Sequence, residues 1–158
     1  MASEPAGFGL AIRPARLADC GAIAELARQL LPEAWSEAQL SSEVALPEGR
    51  VWVAASGSAL AGFLVARREL DELHILLTGV RPELRRRRIG ARLLELALAQ
   101  ERGLAKAFLE VRETNLGARA FYAELGFREV GRRPRHYPDG EAAVLMARAR
   151  EEPAAPRD

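Results

Sequence analysis

Cysteine is almost missing from this chain: Cys20 is the only one in 158 residues. That excludes an internal disulfide and a cysteine-based zinc cage. Histidine is scarce too, with His74 and His136 alone, so no metal site is expected. Lysine occurs once, at Lys106, and arginine carries the rest of the positive charge. A net charge of +1 argues against a surface given over to nucleic acid. No apolar run approaches the roughly 20 residues that span a bilayer. The first residues, Met1-Ala-Ser-Glu-Pro-Ala-Gly7, have neither the basic nor the apolar region of a signal peptide. These absences together lead us to expect a cytoplasmic protein with no metal, no membrane contact and no need for nucleic acid.

What is present is an ordinary globular balance, 49% hydrophobic and 28% charged. The length suits one domain, which we place at 10–149, with a flexible leader at 1–9 and a disordered tail at 150–158. A strand at 10–13 stops at Pro14. Leu17, Ile23, Leu26, Ala27, Leu30 and Leu31 have helical spacing over 17–31. Ser36 with Gln39 three residues on is a capping-box pattern that starts a second helix. Strands follow at 50–55 and 60–67, joined through Ser56-Gly57-Ser58, and at 73–80. The last is mostly apolar, so it is expected to be central and covered on both faces. Gly79 within it suggests a bulge or a close approach by another backbone or a ligand. A helix over 89–102, with Leu93, Leu96 and Ala97 on one side, ends near Gly103. A strand at 107–112, a helix over 116–124 capped by Asn115, and strands at 127–133 and 141–148 complete the chain. The order predicts an α/β (or α+β) fold: a mixed, mostly antiparallel sheet of six or seven strands flanked by about four helices.

The candidate site starts at residues 77–94. An apolar strand ends at Val80, Pro82 breaks it, and Arg85-Arg86-Arg87-Arg88 leads into a helix at Ile89-Gly90-Ala91. The first N–H groups of a helix have no internal partner and carry partial positive charge, so arginines there strengthen a cradle for phosphate. The plain alternative for four arginines is a solvated face or a loose nucleic-acid patch. Downstream, Glu110 alternates with apolar Leu109 and Val111, Asn115 opens a helix, and Tyr122 lies on that helix. Singly, these read as an edge residue, a cap and a half-buried packing residue. Together, the carboxylate and the phenol facing one cleft make a base and acid pair.

Arg85-x-x-Arg88-x-Gly90-Ala91 after an apolar strand resembles the acetyl-CoA loop of the GNAT acetyltransferase superfamily. Leu109-Glu-Val-Arg-Glu-Thr-Asn115, running into Ala120-Phe-Tyr-Ala-Glu-Leu-Gly-Phe127, resembles the signature of its RimI branch, the ribosomal-protein-alanine N-acetyltransferases. Trp35-Ser36-Glu37 and the segment from Arg132 to Met146 resemble two further stretches of that branch. The likeness runs from about residue 10 to 148 and implies the GNAT fold. It implies acetyl-CoA contacts at Thr78, Gly79 and Val80, and a pyrophosphate on the backbone of Arg86, Arg87, Arg88, Ile89, Gly90 and Ala91. It further implies coenzyme A contact at Asn115, Glu110 as general base and Tyr122 as general acid. Two departures stand out. Arg88 replaces the middle glycine of the loop, and His136 replaces the first tyrosine of a tyrosine pair.

The reaction implied is acetylation of a protein N-terminal α-amine, the alanine of a small-subunit ribosomal protein, so the partner is that protein's N-terminal peptide. Such an amine has a pKa near 8, against about 10.4 for lysine, and so needs only modest help to lose its proton. A backbone N–H near Gly79–Val80 is the candidate to stabilise the oxyanion. Two other readings are weighed: a GNAT enzyme acting on other N-termini, a lysine or a small metabolite, and a non-catalytic binder of coenzyme A or nucleic acid.

Overall fold

A computed structural model describes residues 9–150; apart from Gly9 and Arg150, the leader expected at 1–9 and the tail expected at 150–158 lie outside the described residues. The strands are β1 (Ala11–Pro14), β2 (Gly49–Ser56), β3 (Ala59–Glu69), β4 (Glu72–Val80), β5 (Lys106–Arg112), β6 (Arg128–Arg133) and β7 (Ala143–Ala149). The helices are α1 (Cys20–Leu30), α2 (Glu37–Ala45), α3 (Ile89–Ala99) and α4 (Leu116–Glu124). All seven strands form one sheet in the order β1-β2-β3-β4-β5-β7-β6. Among the described residues, only β4 and β5 pair in parallel. The connection between them is the α3 crossover that a parallel pair requires.

Each face of the sheet has its own core. On one, Ile23, Leu26 and Ala27 of α1 and Leu40 of α2 pack on Val51, Val53, Phe63 and Val65. On the other, Ile89, Leu93, Leu94 and Ala97 of α3 and Tyr122 of α4 pack on Trp52, Leu64, Ile75, Leu109 and Val111. Helix α2 is also tied down by Glu43, only 2% exposed, whose carboxylate meets Arg67 at 2.6 and 2.8 Å. A buried charge is stable only with such a partner.

Local signals settle most boundaries. The Ser36 hydroxyl accepts the Gln39 N–H at 3.1 Å and the Gln39 side chain returns the bond to the Ser36 N–H at 2.8 Å. Asn115 Oδ1 accepts the Ala118 N–H at 3.1 Å. Gly126, at φ +91°, closes α4, with the Phe127 N–H on the Tyr122 carbonyl at 3.0 Å.

Several expectations are corrected. The first helix begins at Cys20, not residue 17, because Asp19 caps the Arg16 N–H and pairs with Arg13, leaving Leu17–Asp19 as a 3-10 turn. Leu17 is therefore 60% exposed and not on the buried face. Helix α3 stops at Ala99, short of residue 102, because Glu101 turns inward to pair with Arg50 and Arg68. Leu96 lies on the outer side of α3, 36% exposed, while Leu94 is buried. The β4 bulge falls at Leu76, not Gly79: Leu77 pairs with Val65 and Ile75 with Ala66, so Leu76 is the extra residue. Gly79 answers a close approach, but by a side chain: a Cβ there would lie 2.8 Å from the Phe63 ring. Nor is β4 covered on both faces throughout, since Thr78–Val80 are only half-buried at the mouth of a cavity.

Candidate active site

The Leu76 bulge decides what the end of β4 presents. Without it, Leu73, Ile75, Leu77 and Gly79 would share a face. With it, Leu77 and Gly79 turn to the α1–α2 side, while Thr78 pairs with Leu64 on the α3–α4 side. There the Thr78 hydroxyl meets the Tyr122 hydroxyl at 2.8 Å. Tyr122 is 7% exposed and sits edge-on to Phe121 and Phe127. Burial pushes its phenol above the ordinary value, and the Thr78 hydrogen bond offsets part of that. The group therefore keeps its proton at neutral pH.

A cavity of about 760 Å³ opens in front of this pair, within the size range of cofactor sites. It brings together Thr78, Gly79, Val80, Arg86, Arg88, Ile89, Gly90, Ala91, Asn115 and Tyr122 of the expected site residues, and adds Arg85, Phe121 and Gly117. Arg87 is not on its wall. Arg86 and Arg88 adopt left-handed backbone at φ +67° and +61°. Arg88 is the N-cap of α3 with no side-chain cap bond, so the helix's first N–H groups are left for a ligand. The arginine thus stands in the very conformation for which a glycine is suited. Asn115 has spent its Oδ1 on capping α4, which leaves its NH₂ for a ligand.

Glu110 is the exception. Leu109 and Val111 belong to the core on the α3–α4 side, so Glu110 points to the opposite face from Tyr122. The expectation that both groups face one cleft is corrected to two faces. Among the described residues the β4–β5 ladder ends at Ile75–Leu109. Beyond it, Leu77–Val80 and Glu110–Arg112 pair on their other sides only. The sheet is therefore open between these two stretches.

On the Glu110 face, Oε2 lies 2.5 Å from His136 Nε2 and Oε1 lies 3.7 Å from Arg133 Nη1. Beside it, Arg112 links two loops. It contacts Glu33 of the α1–α2 loop, Asp139 at 2.8 Å and Glu141 at 2.7 Å, and its guanidinium lies 4.2 Å from the Tyr137 ring centre. Hydrogen bonds from Thr114, then Arg112, hold the Glu141 carboxyl down at about 2. Burial, then the charge of Glu110, raises the Tyr137 phenol. Sequence reasoning gave no role to Arg112 or to the Thr78 hydroxyl. Arg112 was visible only as part of the Leu109–Asn115 motif, and the Thr78 bond depends on the bulge.

The described residues contain no helix long and apolar enough to cross a membrane. The sequence model of the acetyltransferase (GNAT) family matches residues 21–127. The N-alpha-acetyltransferase RimI of Mycobacterium tuberculosis is 35% identical over 159 residues, spanning 96% of this chain and 98% of that protein. The ribosomal protein bS18-alanine N-acetyltransferase of Escherichia coli K12 is 39% identical over 93 residues, 56% of this chain and 63% of its own. A crystal structure of the Escherichia coli ribosomal-protein-alanine enzyme is similar with a TM-score of 0.80 at 30% identity, covering 89% of this chain and 93% of that one. Fold, cleft and sequence agree, and the chain belongs to the acetyltransferase (GNAT) family.

Proposed function

We infer that this enzyme transfers the acetyl group of acetyl-CoA to a protein N-terminal α-amine, that of an alanine at the start of a small-subunit ribosomal protein. The observation that carries the reading is the gap between β4 and β5, with a buried phenol on one side and a solvated carboxylate on the other. The α3 cavity fits the cofactor's anionic tail: free helix N–H groups, Arg85, Arg86 and Arg88, and a volume of about 760 Å³. Likeness to relatives named for N-terminal and ribosomal-protein-alanine acetylation supports the acceptor.

Acetyl-CoA supplies an activated acyl carbonyl. The chain's own residues do the rest. The α3 N-terminus and Asn115 hold the coenzyme. The backbone at Gly79–Val80 offers N–H groups where negative charge develops on oxygen. Glu110 accepts the proton of the acceptor's ammonium group, directly or through a water, on the face that the α1–α2 and β6–β7 loops border. Tyr122, kept neutral by burial, gives its proton to the departing thiolate. The Thr78 hydroxyl fixes the direction of that phenol. Cys20, the first residue of α1, is buried and takes no part.

Mass spectrometry of ribosomal proteins incubated with the enzyme and acetyl-CoA tests the reading, with lysine peptides alongside and Glu110→Gln as control. An acetyl group on an N-terminal alanine, absent with Glu110→Gln, is expected. Equal or greater acetylation of lysine would overturn the acceptor.

A further inference from the structure

Arg112 stands two residues beyond Glu110 on β5, so the two side chains share a face, about 7 Å apart along the strand. One guanidinium there serves three carboxylates. Its Nη2 donates to Glu33 of the α1–α2 loop. Its Nη1 donates to Asp139 at 2.8 Å and to Glu141 at 2.7 Å, both in the β6–β7 loop. Tyr137 of the same loop sets its ring centre 4.2 Å from the guanidinium. The β6–β7 end is itself fixed. Glu141 accepts the Thr114 N–H at 2.8 Å and the Thr114 hydroxyl, and its own N–H donates to Asp139 Oδ1 at 3.0 Å. Two loops far apart in the chain therefore meet on one side chain.

Folding stability does not account for this arrangement. The Arg112 Nε is buried and finds no acceptor among the described residues, which is unfavourable in any fold. The Glu33 and Asp139 side chains are 41% and 61% exposed, and ion pairs that reach water add little to stability. What a planar fork supplies to converging carboxylates is direction: bonds from two nitrogens fix where each loop stands.

We propose that Arg112 is a positioning residue for the acceptor: it braces the α1–α2 loop against the β6–β7 loop beside Glu110, and so sets how tightly the acceptor peptide is held. The inference rests on the acetyl-transfer reading above. In that reading the acceptor's amine reaches Glu110 on the face that these two loops border. The coenzyme cavity lies on the other face, and Glu33, Arg112, Asp139 and Glu141 are not on its wall. Loss of the brace should thus act on one substrate alone.

The test uses steady-state kinetics with an alanine-starting peptide, beside calorimetry with acetyl-CoA. Glu33→Gln removes the charge at one end of the brace. It should raise the peptide KM a few-fold, the worth of a part-exposed ion pair, with kcat within about twofold and the acetyl-CoA Kd unchanged. Arg112→Met frees both loops and should raise the peptide KM about tenfold. Arg112→Lys keeps the charge, but one ammonium cannot replace the fork, so its KM should lie nearer that of Arg112→Met than that of the wild type. In the Arg112→Met background, Glu33→Gln should add less than about twofold, because the brace is already gone. Full rescue by Arg112→Lys, or losses that multiply in the double variant, would overturn the proposal. So would an acetyl-CoA Kd that weakens along with the peptide KM in Glu33→Gln, or a peptide KM that falls, since the link would then be a barrier. If Arg112→Met does not fold, Glu33→Gln, at an exposed carboxylate, decides by its KM and Kd. If a lysine peptide proves the better acceptor, the acceptor reading fails while the same variants on that peptide still decide the role of Arg112. A wild-type enzyme that acetylates neither peptide overturns both.

Discussion

The two faces of the sheet at the ends of β4 and β5 are built on opposite physics. On the α3–α4 face, Tyr122 is buried among Phe121, Phe127, Leu109 and Val111, with a single hydroxyl, that of Thr78, on its oxygen. On the other face stand two groups of polar contacts, Glu110 with His136 and Arg133, and Arg112 with Glu33, Asp139 and Glu141. Apolar surroundings keep a phenol neutral and able to donate a proton. A carboxylate on a wet face is open to an incoming amine. In the proposed function, acid and base are thus assigned by environment.

The contrast can be broken from either side. The largest effect is expected for Glu110→Gln, which should lower kcat/KM by about 10²–10⁴ in a steady-state assay, the usual worth of a general base. Tyr122→Phe should cost about 10² and leave the melting temperature at pH 7 nearly unchanged, since the ring still fills its place. It should also alter stability at high pH. The folded phenol's value lies above the unfolded one, so its contribution is intact below pH 10 and is lost as pH rises beyond. Denaturation curves of Tyr122→Phe should lack that loss.

Next comes Glu141→Gln, which weakens the Thr114 and Arg112 contacts of the β6–β7 loop. It should raise the acceptor KM several-fold, with acetyl-CoA binding unchanged. The Glu141 carboxyl sits at about 2, below its ordinary 4.5, so the loop contacts hold above pH 4.5 and are lost as pH falls toward 2. The smallest effect is expected for Arg88→Gly. It relieves a left-handed residue at φ +61°, a gain of up to about 1 kcal/mol after glycine's entropy is counted. Acetyl-CoA binding should weaken a few-fold at low salt and less at high salt, as calorimetry would register.

Much of this was written locally in the chain. The Ser36–Gln39 box, the Asn115 cap and the Gly126 stop are each set by residues within a few positions, and all three form as the sequence suggests. The arginine loop leading into α3, with Thr78–Val80 beside it, was legible for the same reason. What was not legible depends on partners distant in sequence. An apolar run such as Leu73–Val80 carries no mark of where it bulges, because Leu76 looks like its neighbours until Val65 and Ala66 pair across from it. The face taken by Glu110 relative to Tyr122 follows only from β4–β5 pairing. Glu101 ends α3 early for a reason found on β2 and β3, where Arg50 and Arg68 lie.

The central claim, that cofactor holding and proton abstraction sit on separate faces, is tested most directly by the calorimetric Kd of acetyl-CoA for Glu110→Gln beside the wild type. The account predicts Kd values within about twofold of each other while turnover falls by about 10² or more. A Kd weakened in step with turnover would contradict it, because Glu110 would then belong to the coenzyme site itself.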